Sequence, residues 1–138
     1  MKAKTMKIFA MALLLCLSIV GCGKSDNLKQ AQEELMKTPA YELAVAEAGV
    51  ALDPADPRVQ ETALLLFDAS KFFGATERDI ANVAYRHAKS SRQLGMNVSA
   101  NDLIRAGLKA HYPNTPMGMP TLESFNFYAA TSPLMVNK

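Results

Sequence analysis

Tryptophan is absent from the 138-residue chain, and cysteine and histidine occur twice each. Both cysteines, Cys16 and Cys22, lie near the N-terminus, so the rest of the chain has no disulfide and no cysteine-based zinc site. The two histidines, His87 and His111, are not joined by a His-Glu-x-x-His spacing, and no metal is expected. Gly-x-Ser-x-Gly and glycine-rich phosphate loops are missing as well, and the Ser90-Ser91 pair falls inside a helical pattern with no activating base beside it. These gaps argue against an enzyme and against a bound cofactor. Paired acids such as Glu33-Glu34 read as a solvated helical face.

Long apolar runs are scarce too. The longest begins after a basic head of Lys2, Lys4 and Lys7 and extends from Ile8 to Val20, interrupted only by Ser18. Thirteen helical residues would reach roughly 20 Å, short of a hydrocarbon core about 30 Å thick. A basic head, a short apolar centre and small residues at its end are the features of a secretory signal. The run closes on Leu17-Ser18-Ile19-Val20-Gly21-Cys22, which resembles the lipobox of bacterial lipoproteins. The resemblance implies cleavage between Gly21 and Cys22, a diacylglyceryl group on the Cys22 thiol and acylation of the new amine. Residues 1–21 are then a removed signal peptide, and residues 22–26 are the lipidated N-terminus with a short tether. Membrane attachment is expected through lipid, and because Gly23 replaces the Asp that retains many such proteins in the inner membrane, through the outer membrane of a two-membrane bacterium.

Removal of residues 1–21 takes three lysines and leaves 12 bases against 13 acids. Nucleic acid is therefore not an expected partner. The charge that remains is unevenly placed, with residues 24–68 carrying a net of −5 and residues 69–138 a net of +4. The 117 residues that remain suit one domain held by apolar packing alone.

Punctuation along residues 27–112 divides an all-α single domain, a small bundle of about five helices. Leu28, Ala31 and Leu35 give the first helix, about Asn27 to Lys37. Thr38-Pro39 supplies a cap and a first-turn proline for the second, with Tyr41, Val45, Ala48 and Leu52 expected inside. Gly49 is placed within that helix, where close approach of a neighbouring backbone would explain it. Asp53-Pro54-Ala55-Asp56-Pro57 opens the third, whose Val59, Ala63, Leu66, Phe67 and Phe73 face is widened by Leu64, Leu65 and Phe72. A helix this apolar is expected to be central. Thr76 with Asp79 and Ser99 with Asp102 have capping-box spacing for the fourth and fifth helices. Ile80, Val83, Ala84 and Leu94 are expected inward on the fourth, with His87 on the same face. Leu103, Ile104, Leu108 and Tyr112 are expected inward on the fifth, and Pro113 stops it. Residues 113–138 form a Pro/Met-rich, irregular C-terminal segment expected to pack on the bundle, with Leu122 to Ala130 either a short helix or a strand.

Two local patterns bear on the fold. Ala51-Leu52-Asp53-Pro54 before an apolar helix resembles the junction between tetratricopeptide repeats, which implies helix pairs of that kind. The match covers one junction only, since 34 residues on the chain reads Arg86-His87-Ala88-Lys89. Thr76 to Ala81 resembles a helix-turn-helix segment, but export removes DNA and the capping spacing accounts for the same residues.

The candidate partner-binding residues are the bases on the fourth and fifth helices, Arg86, Lys89, Arg105 and Lys109, and the aromatics Phe125, Phe127 and Tyr128. Together these readings describe a lipid-anchored envelope protein acting by protein binding, as an adaptor or accessory subunit. A lipid-tethered inhibitor or immunity-type protein and a small-ligand-binding helical domain share the same features.

Overall fold

The computed structural model describes residues 25–111 and 119–135. Residues 1–21, expected to be a signal peptide, Cys22 and the stretch containing Tyr112, Pro113, Pro116, Met117 and Gly118 lie outside the described residues, as does the side chain of His111. The chain divides into two compact units, Met1–Lys37 and Thr38–Lys138. The described part of the first unit is one helix, α1 (Ser25–Met36). The second contains α2 (Pro39–Ala48), α3 (Pro57–Phe73), α4 (Glu77–Gln93), α5 (Ala100–His111), α6 (Leu122–Thr131) and a 3-10 turn at Pro133–Met135. The architecture is all-α.

Each start in the bundle is built by a short polar side chain. The Thr38 hydroxyl accepts from the Tyr41 amide at 3.2 Å, the Asp56 carboxylate from the Arg58 amide at 2.8 Å, and Thr76 from Asp79 at 3.0 Å. Pro39 and Pro57 occupy first-turn positions, where a missing N–H is harmless. Ser99 caps α5 by accepting from the Asp102 amide at 3.0 Å. A fifth start escapes the sequence patterns named above. Thr121 and Ser124 form a reciprocal box, with Ser124 N–H on the Thr121 hydroxyl at 3.1 Å and Thr121 N–H on Ser124 Oγ at 2.9 Å. Leu122–Thr131 is thereby a helix, and the C-terminal segment is more regular than expected.

Gly49 is corrected in role. It ends α2 in the left-handed conformation at φ +76°, its N–H on the Val45 carbonyl, and nothing lies within 4 Å of where a Cβ would stand. The inner face of α2 shifts accordingly to Ala40, Leu43 and Ala44, with Tyr41, Val45 and Ala48 half-buried. Leu52 is buried, but from the loop.

The central helix is α4, not α3. It packs against α2, α3, α5 and α6, whereas α3 meets α2, α4 and α5. Ala81, Ala84, Ala88 and Ser91 are buried beside Ile80 and Val83, and such small side chains let several neighbours approach one axis. In α3, Val59, Thr62, Leu66, Ala69 and Phe73 are buried, while Leu64 and Phe67 are 54% and 48% exposed. These two belong to the opposite arc of the helix. Leu94 is 74% exposed because α4 ends at Gln93 and the next residue leaves the helical register. Leu103 and Ile104 are buried on α5 and Leu108 packs at the edge of the core. Positions 85–88, where a second repeat junction would fall, lie inside α4.

The close approach assigned to Gly49 occurs at Gly107 instead. A Cβ there would sit 2.8 Å and 3.0 Å from two ring atoms of Phe125 and 3.4 Å from Tyr128. Phe125 is fully buried, with its ring centroid 5.0 Å from that of Phe73, so it has little room to yield. Gly107→Ala gains about 1 kcal/mol of helix propensity but meets an overpacking cost of about 1–3 kcal/mol. A net loss of stability in thermal melts is expected. A raised melting temperature would mean that α6 stands farther from α5 than described.

Candidate functional site

The seven candidate residues are not assembled into one site. Arg86 is exposed on α4, and its Nη2 donates to Asn126 Oδ1 of α6 at 2.7 Å. His87 Nε2 lies 3.0 Å from the same oxygen. A carbonyl oxygen only accepts, so the contact calls for an N–H at His87 Nε2, and both α4 side chains tie α6 down. Lys89 is exposed one turn further along. Arg105 faces the other way, pairing with Glu61 of α3 and lying 3.4 Å from Asp102 of its own helix. Lys109 is exposed and, with Arg105, Asp102, Val98 and Leu134, borders an open hollow of about 320 Å³.

The aromatics divide by helix geometry. Phe125 enters the core, Tyr128 is half-buried against Gly107, and Phe127 is 61% exposed. Residues two apart on a helix point about 200° from each other, so Phe125 and Phe127 cannot share a face. The removal of Phe125 from the surface corrects its candidacy as a contact residue.

A polar cluster that the sequence patterns did not reveal joins α2, α3 and α5. The Glu47 carboxylate accepts from the Asn101 amide at 3.1 Å, and Asn101 Nδ2 donates to Thr62 Oγ1 at 2.9 Å. Thr62 is buried, and Asn101 Oδ1 is buried with no partner among the described residues. Glu47 thus completes an α5 start whose local cap, Ser99, was legible. Its contribution comes from more than fifty residues earlier and leaves no local pattern. Elsewhere Arg78 Nη1 meets Glu42 Oε1 at 2.9 Å across a cleft between α2 and α4 lined by Leu43, Ala46, Ala81 and Tyr85.

Burial pushes the Glu47 carboxyl above its usual value of 4.5, against the hydrogen bonds from Asn101, Ser99 and Ala100, and the Asp102 charge adds to the rise. Half-buried Glu77 is raised by burial as well. A raised carboxyl favours folding most fully below the unfolded value near 4.5, and this contribution is lost as pH rises through the folded value. Asp56 runs the opposite way. Its hydrogen bonds with Arg58 lower it from 3.8, so its contribution is present above that value and is lost as pH falls through the depressed one. Glu47→Gln keeps an accepting oxygen and removes the buried charge. Its melting temperature should match the parent near about pH 4 and exceed it near about pH 7. A variant that melts below the parent near neutrality would mean that the charge at the α5 start outweighs its desolvation.

Among the described residues no group of three His, Cys, Asp or Glu side chains is placed to hold a metal ion. No described helix is long and apolar enough to cross a membrane. Comparison of the chain with protein-family models, curated proteins and solved structures finds no match.

Proposed function

We propose that the chain is a lipid-anchored protein of the bacterial cell envelope that acts by binding another protein, as an adaptor or accessory subunit of a larger assembly. The observation that carries the reading is the short apolar run ending in Ile19-Val20-Gly21-Cys22 behind a basic head. Gly23 directs the anchor to the outer membrane where the source has two membranes. The bundle supports binding through its faces. Its hollow beside Arg105 and Lys109 is open and largely apolar, and large apolar side chains stand outward at Leu64 and Phe67 on α3 and Phe127 on α6. Lys71 reaches to 5.2 Å from the Phe67 ring centroid, giving that stripe a cationic edge.

Crosslinking in cells followed by purification of the tagged chain tests the reading. A stoichiometric envelope protein is the expected companion, and recovery of the chain alone would count against it. Phe67→Ala and Phe127→Ala, at positions 48% and 61% exposed, identify which face the companion occupies.

A further inference from the structure

The helix nearest the proposed anchor has an apolar stripe. On α1, Leu28, Ala31 and Leu35 recur at i, i+3 and i+7 and share one side, while Asp26, Gln30 and Glu33 occupy the other. Leu28 is 58% exposed, Ala31 is exposed and Leu35 is half-buried. A twelve-residue helix is marginal in water by itself and gains from an apolar surface that covers such a stripe.

Chain length says what that surface is, on the reading that Cys22 carries the lipid. Ser25, the first residue of α1, is three residues from Cys22, which allows at most about 10 Å of extended chain. The polar layer on each side of a bilayer is itself only about 5–8 Å deep. The first turn of α1, with Leu28 in it, is therefore held at the headgroups whenever the acyl chains are inserted. Two leucines and an alanine would bind a free helix to lipid only weakly. The anchor removes that difficulty, because the association becomes intramolecular and its effective concentration is high.

We infer that α1 is an interfacial helix lying along the membrane surface, with Leu28, Ala31 and Leu35 toward the acyl chains and Asp26, Gln30 and Glu33 toward water. The acids on the outer side are then turned away from lipid phosphates, and a neutral phosphatidylcholine surface suffices. Low overall hydrophobicity with a one-sided stripe is the pattern of helices that lie in an interface rather than cross it.

The lack of tryptophan makes the test direct. The chain from Cys22 onward has that residue as its sole cysteine, so its thiol can be joined to a maleimide headgroup in phosphatidylcholine vesicles with brominated acyl chains. Leu28→Trp should then emit to the blue and be quenched several-fold, whereas Gln30→Trp should emit as it does before tethering. Adding Ala31→Glu to Leu28→Trp should abolish the quenching. Equal emission from the two tryptophans, or quenching that survives Ala31→Glu, would overturn the interfacial helix. The chemical tether replaces the acyl groups, so this outcome is independent of whether Cys22 is lipidated in cells, which the mass of the membrane-extracted protein decides separately.

Discussion

Phe125→Ala should lower the stability of the bundle by about 3–5 kcal/mol, the range for truncating a fully buried phenylalanine. The ring is wholly buried, packs at 5.0 Å from Phe73 and lies against the bare backbone of Gly107, so nothing nearby can fill the space it leaves. Domains of this size have about 5–15 kcal/mol in total, and the loss should depress the melting temperature by more than about 10 °C. Phe127→Ala, two residues away and 61% exposed, is the control and should shift it little. Similar melting for both variants would show that α6 is an appendage whose aromatics serve a partner. The expected asymmetry instead makes α6 part of the core, in keeping with the burial of Ser124 and Ala129 on the same helix.

Cys22→Ala should have an all-or-none effect. In the proposed anchor the thioether to lipid would form on the Cys22 sulfur, and the lipoprotein resemblance makes cleavage depend on that modification. The variant should take up no labelled fatty acid and should persist as a precursor longer by 21 residues, resolved by intact mass. Each buried methylene is worth about 0.8 kcal/mol, so the two or three acyl chains lost would otherwise hold the protein to the bilayer in effect permanently. Normal processing of the alanine variant would place the chain among ordinary secreted proteins. It would also remove the ground for the proposed envelope role.

The starts of α2 to α5 were legible from the sequence because their chemistry is local. Thr38-Pro39, Asp56-Pro57, Thr76 with Asp79 and Ser99 with Asp102 all sit at the observed N-termini. Which face turns inward was less legible. Helix α3 is apolar on both arcs, and periodicity cannot say that Thr62 is buried while Leu64 and Phe67 are exposed. Gly49 and Gly107 illustrate the same limit. Both fall within or beside a helical pattern in the sequence, yet one ends a helix by its backbone angle and the other admits an aromatic ring from a helix that follows later. Of the candidate contact residues, exposure could be anticipated for the four bases. That Arg86 reaches Asn126 and Arg105 reaches Glu61 depends on pairings forty and forty-four residues apart, which only the assembled bundle defines.

The carboxylate of Glu47 at the start of α5 also bears on the order in which the chain is made. The Asn101 amide finds its acceptor on a helix that leaves the ribosome more than fifty residues ahead of it, and Asn101 in turn reaches Thr62 on the helix between. Until α2 and α3 are in place, α5 begins with a donor that has only water to meet it, and its end frays. The start of α5 is completed by joining the other two, which couples α5 to α2 and α3 and gives the late half of the chain an acceptor in the early half.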